Sequence, residues 1–211
     1  MAGYLIYHPK RQISSFGRLR IYHDSTSHNQ DPYIWNTHFL HSYCHITQMS
    51  PAVGDINLWI SGDNFPNFSQ LWCDLVFVVE EKAYWSNCNE IESNYLLVDS
   101  AEAFNDHYRW ASVDHPYKKR TSRFTLKGNA ERSFQPQTEE GTLIDVAPLL
   151  MSYGLTMEQL RGGMRAGFAG KPMPLASKVL QGVSNTLEQS AARLHGQQLQ
   201  AIRQKHPHLA S

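Results

Sequence analysis

Three features of the 211 residues predict an α+β fold in which a mostly antiparallel, barrel-like sheet precedes a helical C-terminal part. Short β-branched and aromatic runs bounded by turn residues fill the first hundred positions. One of them, residues 71–79 (LWCDLVFVV), has the length and near-unbroken apolarity of a strand buried on both faces. From Gly141 onward the pattern changes, and apolar residues recur at helical spacing.

In chain order, residues 4–7 (YLIY) and 18–22 (RLRIY) supply the first strands. Residues 37–47 alternate loosely and, if extended, set Phe39, His41, Tyr43 and His45 on one face. A turn at Gly54-Asp55 feeds a strand at 57–60 (NLWI), so Asp55 and Asp63 fall at its opposite ends. Residues 80–95 read as a short helix and loop, and 99–110 as a helix start capped by Asp99 or Ser100. Residues 121–127 (TSRFTLK) provide one more strand. Thr156 followed by Gln159 has the spacing of a capping box, and Gly162-Gly163 closes that helix. After a linker at 167–174 (GFAGKPMP), Leu175, Leu180, Val183, Leu187, Leu194 and Ile202 predict one long helix over 175–203. The organisation is thus a sheet domain at 1–140 and a helical subdomain at 141–211.

With 19 basic and 19 acidic residues the net charge is zero, which excludes a uniformly basic nucleic-acid coat. The zero conceals an asymmetry: residues 151–211 hold seven Lys or Arg against two acids, a net +5, so residues 1–150 carry −5. Within the body, Lys118, Lys119, Arg120, Arg123, Lys127 and Arg132 are opposed by Glu131 alone and interleave with Tyr117 and Phe124, a pattern suited to phosphate contact. Three cysteines without a CxxC pair indicate neither a disulfide framework nor a zinc ribbon. His38, His41 and His45 would share a face on a helix and could then hold a metal. The segment reads as a strand, so neither metal nor cofactor is expected. No Walker loop, dinucleotide fingerprint, HExxH or GxSxG occurs. The first apolar run breaks at His8-Pro9-Lys10, too early for a signal peptide, and no run nears the ~20 residues of a membrane span. The expectation is a cytoplasmic protein without a membrane segment.

Candidate chemistry gathers at three places. Tyr22-His23-Asp24 ends a strand and leads into a polar loop with Tyr33 and Trp35, a common way to line a pocket mouth. The second is GDINLWISGD, with Asp55, Trp59 and Asp63, where Trp59 either stacks on a ligand or sits in the core, its apolar strand favouring the core. The third is the pair Tyr84-Trp85 after the central strand. Together, GD-x-x-x-W-I-S-G, then L-V-F-V-V-E-E-K-x-Y-W, preceded by Y-H-D and D-P, resemble the nucleotide-modification-associated domains, which stand near the PUA, EVE and ASCH group of small β-barrels. The resemblance covers residues 21–85. It implies a PUA-like barrel that recognises a nucleobase, often a modified one, as in phage and anti-phage systems.

The physical requirements of that function are stacking surfaces and polar groups for the edge of an extruded base. Tyr22, Tyr33, Trp35, Trp59, Tyr84 and Trp85 are the candidate stackers. A DNA glycosylase further needs a carboxylate to stabilise the sugar cation or activate water. Asp24 is the first choice with His23 as its titratable partner, then Asp55 and Asp63. The other reading is a non-catalytic reader of modified DNA or RNA using the same pocket. The long C-terminal helix also offers a surface for self-association.

Overall fold

In the computed structural model the described residues are 2–8, 12–16, 19–23, 40–41, 51–85, 95–96, 124–164 and 172–205. The chain is α+β, with a mostly antiparallel sheet. The strands are β1 (Ala2–His8), β2 (Gln12–Phe16), β3 (Leu19–His23), β4 (Leu40–His41), β5 (Ile56–Gly62), β6 (Leu71–Trp85), β7 (Tyr95–Leu96), β8 (Phe124–Gly128), β9 (Phe134–Gln137), β10 (Met173–Ala176) and β11 (Ala192–His195). The helices are α1 (Ala147–Ser152), α2 (Met157–Gly163), α3 (Ser177–Leu187) and α4 (Gly196–Lys205).

The main path through the sheet runs β10-β1-β5-β6-β8-β4, with β7 and β9 also on β6, and β11 on β9. Pairings β1–β5 and β6–β7 are parallel. The expected barrel is not formed: among the described strands the ends of this path do not meet, and the sheet is open. Both edges of β1 are occupied, by β5 and by β10. The outer strand β10 carries Pro174, which lacks an N–H for further pairing and so suits a sheet edge.

β6 is the central strand. Leu71 and every residue from Cys73 to Val79 are buried, as its composition predicts. The helix expected from residue 80 does not start there, and the strand continues to Trp85. Glu80-Glu81-Lys82-Ala83 are good helix formers, but pairing of residues 79–84 with β8 supplies hydrogen bonds that outweigh this weak preference. The single long helix at 175–203 is likewise replaced by β10, α3, β11 and α4. Ala192–His195 aligns opposite β9, with Leu194 across from Gln135, so Leu194 is buried by strand pairing. Its helical spacing from Leu187 is coincidental.

One sheet face forms the main core. Leu5, Leu58, Ile60, Val76 and Val78 pack there with Leu150 of α1, Leu160 of α2, and Leu180, Val183 and Leu187 of α3. The C-terminal part therefore contributes both strands and helices to the same core as the N-terminal strands. The Thr156 capping box is present, its hydroxyl accepting from the Gln159 N–H at 3.1 Å and the Gln159 amide oxygen accepting from the Thr156 N–H at 2.8 Å. Among the described residues no helix is long and apolar enough to cross a membrane.

Candidate functional site

Side chains alternate across β5, so Ile56, Leu58 and Ile60 enter the main core while Asn57, Trp59 and Ser61 face the other side. That second face is also buried, yet its composition differs. Asn57 and Trp59 have no exposed surface, and Ser61 and Asp74 are 2% exposed. Aromatic rings and polar groups alternate along it.

Asp74 reaches this face through a bulge in β6. The register passes from Trp59 opposite Leu75 to Ile60 opposite Cys73, which leaves Asp74 as the extra residue. Its Oδ1 accepts a hydrogen bond from Ser61 Oγ at 2.9 Å. His8 of β1 stands beside Ser61 in register. Burial, and after it the negative charge of Asp74, pushes the adjacent Cys73 thiol well above its ordinary value, so Cys73 is a packed, protonated core residue.

Glutamines tie the β2–β3 hairpin to β9. The Gln135 amide donates to the Tyr22 carbonyl and its oxygen accepts from the Tyr22 N–H at 3.3 Å. Gln137 Nε2 donates to the Arg20 carbonyl at 2.6 Å. Both carboxamides thus do for the hairpin what a backbone ladder does elsewhere. Asn57 is different. Among the described residues, neither its amide nitrogen nor its oxygen has a hydrogen-bond partner.

The two described candidate carboxylates do not converge. Asp55, 2% exposed, accepts from the Ala52 N–H at 2.7 Å and closes the turn in which Gly54 adopts a φ of 87°. Asp63, at the other end of β5, accepts from the Ser69 N–H at 2.7 Å, the Ser69 hydroxyl at 2.6 Å and the Gln70 N–H at 3.0 Å. Across the seven residues of β5 they stand about 20 Å or more apart. The Ser69 hydroxyl, foremost, and the Gln70 N–H hold the Asp63 carboxyl well below its ordinary value of 3.8. A depressed carboxyl contributes its stability above its unfolded pKa and loses it as pH falls through the folded one. The loop at 63–70 is therefore expected to loosen only at acidity below about pH 4. Amide exchange at Ser69 and Gln70, normalised for intrinsic rate, should rise there in the wild type and at all pH values in Asp63→Asn.

Trp59 does not present a stacking face. It is fully buried, with its ring 5.1 Å from Phe77 in an edge-on arrangement, so the core reading holds and the ligand-stacking one is corrected. Tyr22 is also inside, 5% exposed, its hydroxyl donating to the Gly141 carbonyl at 3.1 Å. Lys127 lies 3.3 Å from Glu80 and 4.0 Å from Glu81, so its charge is offset and it adds no net positive potential for a phosphate. Arg161, part of the basic C-terminal excess, donates twice to the Phe68 carbonyl, at 3.0 and 2.7 Å. Of His23, Tyr84 and Trp85 the backbone is placed, in β3 and β6. Asp24, Tyr33, Trp35, Lys118, Lys119, Arg120, Arg123, His38 and His45 lie outside the described residues. Among the described residues no three His, Cys, Asp or Glu side chains stand together as a metal site.

Asn57 and Asp74 were missing from the sequence-based candidates. Their signal was present: each is a single polar residue inside an otherwise apolar strand, in INLWI and LWCDLVFVV. Comparison of the chain with known protein families, curated proteins and solved structures gives no match.

Proposed function

We propose that the chain binds DNA carrying modified bases, takes an extruded base against the second face of its sheet, and hydrolyses the N-glycosidic bond, with Asp24 and His23 as the reacting pair. In this reading the sheet does the work of the PUA-like barrel that residues 21–85 resemble, and the protein acts in the cytoplasm. The observation that carries it is the make-up of that face, where Asn57, Ser61 and Asp74 set amide, hydroxyl and carboxylate groups within an otherwise apolar interior. Such a surface combines apolar contact for a planar ring with hydrogen-bonding groups for its edge. The Lys118–Lys119–Arg120 run supplies the backbone contacts.

A second reading, a non-catalytic reader of the same bases, draws on a specific observation. The carboxylates of Asp55 and Asp63 are both committed to turns. Catalysis then rests on Asp24. Incubation with phage DNA rich in modified bases, followed by alkali, separates the two. Strand breaks that vanish in Asp24→Asn support the glycosylase, whereas binding without breaks supports the reader. Failure to prefer modified over unmodified DNA overturns both.

Replacing Lys118, Lys119 and Arg120 together by Ala is expected to weaken binding and to reduce the slope of log affinity against log salt by about 2–3, because each lost phosphate contact releases one fewer counterion. An unchanged slope removes this run from the interface.

A further inference from the structure

We infer that the β2–β3 hairpin is a flap over the β9 end of the second sheet face, latched shut by the Gln135 and Gln137 carboxamides and opening as one unit while the main sheet stays folded. The flap needs no ligand and is independent of the reaction proposed above.

The attachment of the hairpin is unlike that of the other strands. β2 and β3 form a two-stranded sheet of their own, in register from Gln12 opposite His23 to Phe16 opposite Leu19. In an antiparallel pair the backbone groups of alternate residues point away from the partner strand. On β3 such outward groups lie at Arg20 and Tyr22, and side chains of β9 take them. Gln135 accepts from the Tyr22 N–H and donates to the Tyr22 carbonyl, while Gln137 donates to the Arg20 carbonyl. A residue of a neighbouring strand would exchange the same two bonds with Tyr22, so the Gln135 carboxamide stands in for a peptide group. The Tyr22 hydroxyl, donating to the Gly141 carbonyl at 3.1 Å, completes the latch.

Alternation along β9 fixes which side of the sheet the flap covers. Phe134 packs in the main core, so Gln135 and Gln137 project from the opposite, second face. β3 meets that face edge-on and encloses both carboxamides, of which Gln135 has no exposed surface.

The energetics favour separate opening. Ladders of backbone bonds join β1 to β5 and β5 to β6. Among the described residues, the hydrogen bonds from the hairpin to the sheet come instead from side chains. When β3 lifts, its edge groups and the carboxamides exchange one another for water, and no ladder of the main sheet is broken. A unit attached in this way opens at a lower free energy than the strands beneath it. Opening bares Gln135, Gln137, Ile21 and Tyr22, all buried in the closed form. Since β3 ends at His23, it also carries the backbone of that residue away from the sheet.

Hydrogen exchange followed residue by residue by NMR in the full chain tests the flap. A two-stranded ribbon is marginal on its own, so the ladder amides of the hairpin exchange once it lifts. Ser14, Ile21 and Tyr22 should share one level of protection, about 100-fold or more below that of Leu58 in β5 and Val76 in β6. Gln135→Leu, which removes two latch bonds, should speed exchange in the hairpin by about 5–100-fold, and Gln137→Leu, which removes one, by about 2–10-fold. Exchange in β5 and β6 should stay as in the wild type. Gln137→Leu carries the test alone if Gln135→Leu does not fold. Hairpin protection equal to that of β5 and β6 places the hairpin in the global unit and overturns the inference. Variants that leave hairpin exchange unchanged, or that speed β5 and β6 as much as the hairpin, overturn it as well.

Discussion

Gly3→Ala is expected to be among the most damaging single substitutions in the chain, lowering stability by about 3–4 kcal/mol. Gly3 lies in β1, and a Cβ on it would stand 1.9 Å from the Ile56 carbonyl oxygen and 2.5 Å from Leu180 Cδ1. Leu180 is a side chain and could turn aside. The Ile56 carbonyl belongs to the backbone of β5, the neighbour of β1, and cannot move without disturbing their parallel pairing. The same strand pairs with β10 on its other edge, so β1 cannot simply slide away. For a chain of this size the thermal midpoint should fall by about 6–16 °C. A midpoint within about 2 °C of wild type would mean that β1 is not seated against β5 and α3 as described.

Trp59→Ala is expected to cost about 3–5 kcal/mol, the range for removing a large aromatic from a core. Trp59 is among the largest fully buried side chains, and its loss also removes the edge-on contact with Phe77. Typical domains have about 5–15 kcal/mol in total, so the variant should show a much earlier urea transition. The two roles once open to this residue make opposite predictions. A core Trp gives a destabilised protein whose DNA affinity, measured on the folded fraction, changes little. A stacking Trp gives a protein of wild-type stability with lost affinity, and that outcome would place Trp59 outside the core.

Trp59 also illustrates how much of the site was legible. The strand around it was recognisable from its turn at Gly54-Asp55 and its apolar run, and alternation along it follows from a period of two. Which face met the helices, and what stood opposite each residue, depended on β1 and β6, which are distant in sequence. Asp55 and Asp63 drew attention as carboxylates at the two ends of a strand. Their actual partners, the Ala52 N–H and the Ser69 and Gln70 groups, are local turn contacts, and a functional reading of Asp or Asn beside Gly has to compete with that ordinary use. Asn57 carries a sequence signal, a lone polar residue in an apolar strand, but its complete burial follows only from the strands on either side of it.

Local physics was sufficient for β1, β3, β5, β6 and β8, for the capping box at Thr156 and for the α+β class, because each rests on a period, a turn or a cap contained within a few residues. The short strands β9, β10 and β11 have no such signal. Phe134–Gln137 is half glutamine and contains a proline, and Ala192–His195 continues a helical spacing, yet each becomes a strand by meeting the other across more than fifty residues. The open form of the sheet, the bulge at Asp74 and the grouping of Asn57, Ser61 and Asp74 on one buried face follow from the same kind of long-range pairing. Hydrogen bonds between strands are satisfied by whichever backbone is alongside, and no property of either segment alone specifies that neighbour.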